Sequence, residues 1–98
     1  APQALLLMNS PFVLQQAHHT AASSLLDQEI DASVRVQRVY LRTLGRAAET
    51  AEVTTALQFI TAWETSLLQE PDPTVRRVQA WESFCQALFM LNEFIYLD

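Results

Sequence analysis

Two adjacent histidines, one cysteine, a ladder of arginines and a scatter of carboxylates are the side chains in this sequence that could carry chemistry. His18 and His19 are neighbours, so on a helix they point about 100° apart and cannot grip one metal ion in the i, i+4 manner. A zinc site would need further ligands, and Cys85 is the only thiol, so both histidines read as structural or surface residues. Cys85 has Trp81, Phe84, Leu88 and Phe89 around it on one helical stretch, and a thiol buried in such surroundings is unreactive. No serine, histidine and acid stand in a pattern that presents a nucleophile. A phosphate-cradling loop needs several glycines, and Gly45 is the only one. Glu49, Glu52, Glu64, Glu70 and Glu82 fall at helix starts and outer faces, where they serve as caps and solvated charge and not as an acid and base pair. No catalytic, cofactor-binding or metal-ligating residue is expected, and the chain is not expected to be an enzyme.

The arginines are the most suggestive polar feature. Arg35, Arg38, Arg42 and Arg46 follow at spacings of three, four and four, which lines them along one side of a helix and its exit. Such a stripe can dock an acidic partner, clamp the carboxylates of neighbouring segments of the same chain, or stand in solvent with surface pairs worth about 0–1 kcal/mol each. Arg46, beside the turn, reads as structural.

These side chains must be positioned by helices. Glycine is nearly absent, while alanine, leucine, glutamine and arginine dominate, so local propensity favours helix from end to end. A short first helix is expected from Pro2 to about Met8, then a stop at Asn9 and a fresh start with Ser10 as cap and Pro11 at the first helical position. The helix from Pro11 to about Leu26 carries Val13, Ala17, Ala21 and Leu25 on one stripe, its small residues allowing close approach. Asp31 is placed to cap the next helix, whose buried stripe is Val36, Val39, Tyr40 and Leu44 and whose stop is Gly45. Glu49 or Thr50 caps a third long helix, with Glu52 in its first turn and Val53, Ala56, Leu57, Ile60, Trp63 and Leu67 on its core face. Pro71-Asp72-Pro73 breaks the chain, with Asp72 as the next cap. The last helix is expected to reach about Leu91, with Val78, Trp81, Cys85, Leu88 and Asn92 inside. Phe84, Phe89 and Leu91 widen its apolar surface, so it is either central or in contact with a partner. The tail Glu93 to Asp98 holds four apolar side chains and is expected to dock back on the bundle.

A chain of 98 residues can hold one core, and half of its residues are hydrophobic against 17% charged, which favours one packed domain over a disordered tail. The net charge of −5 argues against nucleic acid as a partner and against a polybasic membrane patch. All six basic residues are arginine. One cysteine excludes an intrachain disulfide, and no apolar run approaches the roughly 20 residues that span a bilayer. The start Ala1-Pro2-Gln3 lacks a basic region before the apolar run Leu5 to Met8 and reads as a cut inside a longer protein.

Four short patterns occur in order: Gln3-Ala4-Leu5 before Met8-Asn9-Ser10-Pro11-Phe12-Val13; Gln16-Ala17; Leu44-Gly45-Arg46 with Glu52; and Gln86-Ala87-Leu88 before Asn92 to Asp98. In that order and spacing, along essentially the whole chain, the sequence resembles the C-terminal part of an uncharacterised planctomycetal domain family. The resemblance implies a large, exported parent, in many cases with a cytochrome-c-like domain, and hence a location in the cell envelope or periplasm. It supplies no catalytic residue, and no haem-attachment pattern stands in this segment. Where relatives have proline and threonine after the Leu-Gly-Arg turn, this chain has Ala47, Ala48 and Glu49, a less ideal helix start.

The expectation is therefore an all-α bundle of four main helices plus the short N-terminal helix and docked tail. It would be a non-catalytic packing or interaction module whose partner is the remainder of its parent or another envelope protein. Phe84, Phe89, Phe94 and Tyr96 would complete an apolar docking surface, with Arg35, Arg38 and Arg42 supplying charge complementarity. The alternative is a subdomain that completes an enzyme or redox protein whose catalytic groups lie upstream.

Overall fold

The computed structural model describes residues 11–28 and 30–96, with side chains as far as Leu91. Four helices follow in order: α1 (Pro11–Leu25), α2 (Ala32–Leu44), α3 (Thr50–Ser66) and α4 (Pro73–Tyr96). They form an all-α bundle in which α4 packs on α1, α2 and α3, while α2 also touches both α1 and α3. The central position expected of the last helix is its observed one. The short helix over 2–8 and the Ser10 cap lie outside the described residues.

Each break in the chain has a local cause. Gly45 closes α2 in the left-handed conformation, with φ of 71°, and its N–H donates to the Leu41 carbonyl at 3.1 Å. A Cβ built there would meet nothing within 4 Å, so glycine serves the backbone angle and not a close approach. Glu52 reaches back from the first turn of α3 to accept the Glu49 N–H at 2.9 Å, one arm of a capping box. Asp72 accepts the Thr74 N–H at 2.9 Å and starts α4, with Pro73 at the first helical position. Asp31 takes the cap position of α2 with extended backbone, but its side chain makes no capping bond. At the other end, α4 runs past Leu91 to Tyr96 because no glycine or proline intervenes to stop it. The segment from Glu93 to Tyr96 thus continues the helix, and the docking expected of its side chains lies outside the described residues.

The core collects one stripe from each helix. Val13, Ala17 and Ala21 of α1 are buried, as are Val36, Val39 and Tyr40 of α2, with Leu25 and Leu44 packed at the edge. From α4 come Ala80, Trp81, Phe84, Cys85 and Leu88. The face of α3 is narrower than the sequence suggests. Only Ala56 and Ile60 are buried there, Val53, Leu57 and Phe59 are partly so, and Trp63 is 40% exposed. Among the described elements that helix packs on α2 and α4 alone, so the strip it buries there is short, and Phe59 takes the place expected of Trp63.

Candidate docking groove

The outer seam between α3 and α4 is where this bundle leaves apolar surface in a concave form. Ala51, Thr55, Ala56 and Phe59 of α3 face Phe84, Ala87, Leu88 and Leu91 of α4 across a groove of about 480 Å³. The small side chains at Ala51, Ala56 and Ala87 make the space, since two helices carrying larger residues there would close over it. The floor is aromatic. Phe84 meets Tyr40 at 6.3 Å between ring centroids, Phe59 at 6.3 Å, and Trp81 edge-on at 5.8 Å and 85°. A second recess of about 390 Å³ shares Phe59 and Ala87 and continues to Trp63, Gln86 and Met90. Phe59 and Trp63 pair at 6.4 Å, and Trp63 and Leu91 stand 40% and 47% exposed.

At one end the groove turns polar, where Tyr40 and Glu52 line it. Arg46 grips Glu52 with both nitrogens of its fork, at 2.8 and 2.9 Å, donates to the Ala47 carbonyl, and lies 5.5 Å from the centre of the Tyr40 ring. That grip and the Glu49 N–H hold the Glu52 carboxyl well below the usual carboxylate range, at about 2. Burial, with the nearby Glu52 charge, pushes the Tyr40 hydroxyl up. Neither group is tuned toward neutrality as a general acid or base would be. What this seam offers is apolar contact with one fixed, paired charge at its end.

The residues expected to form a docking surface separate in the structure. Phe84 is 4% exposed and is the hub of the core rings, so it cannot complete an outer surface. It lies one position before Cys85, and the expected inner stripe through Val78, Trp81, Cys85, Leu88 and Asn92 was drawn too narrow to include it. Phe89 is half-buried against the core. The side chains of Phe94 and Tyr96 lie outside the described residues. Phe59, Ala87 and Leu91 line the groove in their stead. The alanines carried no sequence signal, because a groove is made by what two helices lack and not by what either displays.

The arginine stripe separates as well. Arg35 is 1% exposed and belongs to the interior: it donates to the Ser24 carbonyl and, at 3.5 Å, to the Ile30 carbonyl, with its guanidinium 5.7 Å from the centre of the Trp81 ring. It cannot contribute charge to a docking surface. It is an internal clamp whose partners are backbone carbonyls, not the carboxylates a clamp was expected to seek, and its Nε has no partner. Burial, with Arg77 nearby, lowers its pKa from the usual value. Arg38 and Arg42 are exposed, and Arg38 reaches Asp27 at 3.8 Å. Arg46 is structural, as its place beside the turn suggested.

Cys85 is fully buried, and burial pushes its thiol up to about 12, so it is an inert core residue. His18 pairs with Glu82 across the α1–α4 contact, and His19 is exposed. Among the described residues no three His, Cys, Asp or Glu side chains are placed to hold a metal ion, and no helix is long and apolar enough to cross a membrane.

A family model described as "PSD1: Protein of unknown function (DUF1553)" matches residues 1–60. The match takes in α1, α2 and α3 as far as Ile60 and ends before α4, so the last of the four short patterns, from Gln86 onward, lies beyond it. No curated protein and no solved structure matches the chain.

Proposed function

This chain belongs to the PSD1 family of proteins of unknown function (DUF1553), and from that premise we propose that it is a non-catalytic helical packing module of a larger, envelope-associated protein. The exported, planctomycetal setting with a cytochrome-c-like neighbour is part of this proposal and rests on the resemblance of the short sequence patterns. In this reading the α3–α4 groove receives an apolar helix from another part of the same parent protein. The observation that carries it is the continuous apolar strip from Leu91 through Phe59 to Trp63, which is concave, lined by small residues and anchored on a rigid aromatic floor. Seating a helix there would remove the exposed faces of Trp63 and Leu91 from water at about 25 cal/mol per Å², and Glu52 with Arg46 would mark one end of the seat.

The test is binding in trans between this chain and the remaining segments of its parent, followed by calorimetry. Ala87→Arg fills the groove from an exposed position and should weaken association by about a hundredfold, or roughly 2.7 kcal/mol. A parent that does not bind, or binds the variant as tightly as the unaltered chain, would overturn the reading.

A further inference from the structure

A second recess, lined by none of the groove's residues, lies between α1 and α2. Thr20, Ser23 and Ser24 of α1 and Arg38, Val39 and Arg42 of α2 enclose about 130 Å³, a space for one small polar group. We propose that this notch is a binding site for a carboxylate group, and the inference stands apart from the docking groove. It is built from donors without matching acceptors. Among the described residues the Arg42 guanidinium makes no ion pair or hydrogen bond and the Ser23 hydroxyl has no hydrogen-bond partner, the Ser23 carbonyl alone being taken by the Leu26 N–H at 3.3 Å. Arg38 meets Asp27 only at 3.8 Å, with both side chains about half exposed. The Ser24 hydroxyl already donates to the Ala21 carbonyl at 2.9 Å, which leaves Ser23, Arg38 and Arg42 as the donors a ligand would meet.

The surrounding charge favours an anion. After burial, the positive charges of Arg77 and Arg38 act on Arg35, and Asp27 opposes them. Glu82 of α4 is engaged by His18. In a protein of net charge −5 this is a local excess of fixed positive charge. Arg35 cannot swing away to neutralise it elsewhere, because its fork is tied to the Ser24 and Ile30 carbonyls. Planar guanidinium forks match the two oxygens of a carboxylate, and the serine hydroxyl supplies a third donor at the wall of the notch. A free small acid and a glutamate or aspartate of a partner segment present the same carboxylate, and the chemistry at the notch is the same for both.

The two sources are separated by titrating the labelled 98-residue chain with sodium acetate and with a neutral-capped pentapeptide holding one glutamate. Amide and arginine side-chain NMR shifts are followed at constant ionic strength set with chloride. Saturable shifts confined to Thr20–Ser24 and Arg38–Arg42 support the site. Saturation by acetate assigns it to a free acid, and saturation by the peptide alone assigns it to a partner side chain. Arg42→Gln should weaken binding about fivefold or more, and Ser23→Ala by a smaller factor. Both positions lie off the core, so unchanged spectra elsewhere will show that the fold is intact. Shifts that rise without saturating, that chloride reproduces, or that survive Arg42→Gln unchanged would overturn the proposal.

Discussion

Arg35 and Arg46 belong to one stripe by spacing, yet they hold the two ends of α2 in opposite ways. At its exit, Arg46 works in water: its fork grips the Glu52 carboxylate, side chains 49% and 31% exposed, and ties the corner at Gly45 to the start of α3. Near its entry, Arg35 works in the interior, tying the end of α1 to the approach to α2 through the Ser24 and Ile30 carbonyls, with its guanidinium near the Trp81 ring. A charge in water is stabilised by solvent whether or not it finds its partner, so the exposed clamp is worth little. A buried one has no such refuge, and the carbonyls it serves would be left without donors if it were removed. Position along a helix therefore says which residues share a side; it does not say which of them the rest of the molecule covers.

The sharpest way to break that comparison is to remove each clamp. Arg35→Ala should cost about 2–4 kcal/mol, through two orphaned carbonyls and lost packing against Trp81. Arg46→Ala should shift the urea midpoint far less. Arg35→Met keeps the aliphatic stem and should recover part of the loss, which separates packing from hydrogen bonding. Equal midpoint shifts for Arg35→Ala and Arg46→Ala would mean that burial does not distinguish the two ends.

The second effect isolates the backbone of the exit corner from its side-chain clamp. Gly45→Ala should destabilise by about 1 kcal/mol, since an L residue is strained at φ of 71° while its Cβ meets open space. Gly45→Asn should cost less, because asparagine tolerates the left-handed region better. Thermal and urea unfolding of the three proteins would check the order. If alanine were as stable as glycine, the corner would be held by Arg46 and Glu52 and not by the turn.

How legible this molecule was in its sequence follows the same division between local and non-local causes. The helix breaks at Gly45, Glu49 and Asp72 are local, each set by a turn residue or a cap within a few positions; Gly45 and Asp72 were read where they stand, and the cap left between Glu49 and Thr50 is Glu49. The α1 stripe of Val13, Ala17 and Ala21 was read on its periodicity and is buried, while Phe12 and Leu14 of the same helix stay exposed. Trp63 and Phe84 were placed on the wrong side of the surface because their burial depends on where neighbouring helices stop, and among the described elements α3 has two neighbours, α2 and α4. The end of α4 was placed five residues early, since a run of apolar residues without a breaker reads equally well as tail or helix. The docking groove was the least legible feature: it is a gap between alanines, visible only once α3 and α4 are set beside each other.

The smallest effect tests whether the exposed clamp contributes at all, and pH is the variable that reaches it without altering the chain. The folded protein holds Glu52 at about 2, first through the Arg46 fork and then through the Glu49 N–H, whereas the unfolded chain leaves it in the ordinary carboxylate range. The folded state thus keeps its proton off where the unfolded state binds one. The stabilisation is present in full above the ordinary carboxylate range and is lost as pH falls from there toward about 2. Glu52→Gln removes the titrating group, so its urea midpoint should fall less steeply over that interval than that of the unaltered chain, and the two curves should converge at the acid end. Added salt should narrow the gap between them, as befits a pair standing in solvent. Parallel curves for the two proteins through the whole interval would show that the Arg46–Glu52 contact, however well formed, does not stabilise the corner, and would leave the exit from α2 to Gly45 and to the two hydrogen bonds between the Gln37 side chain and the Ala48 backbone.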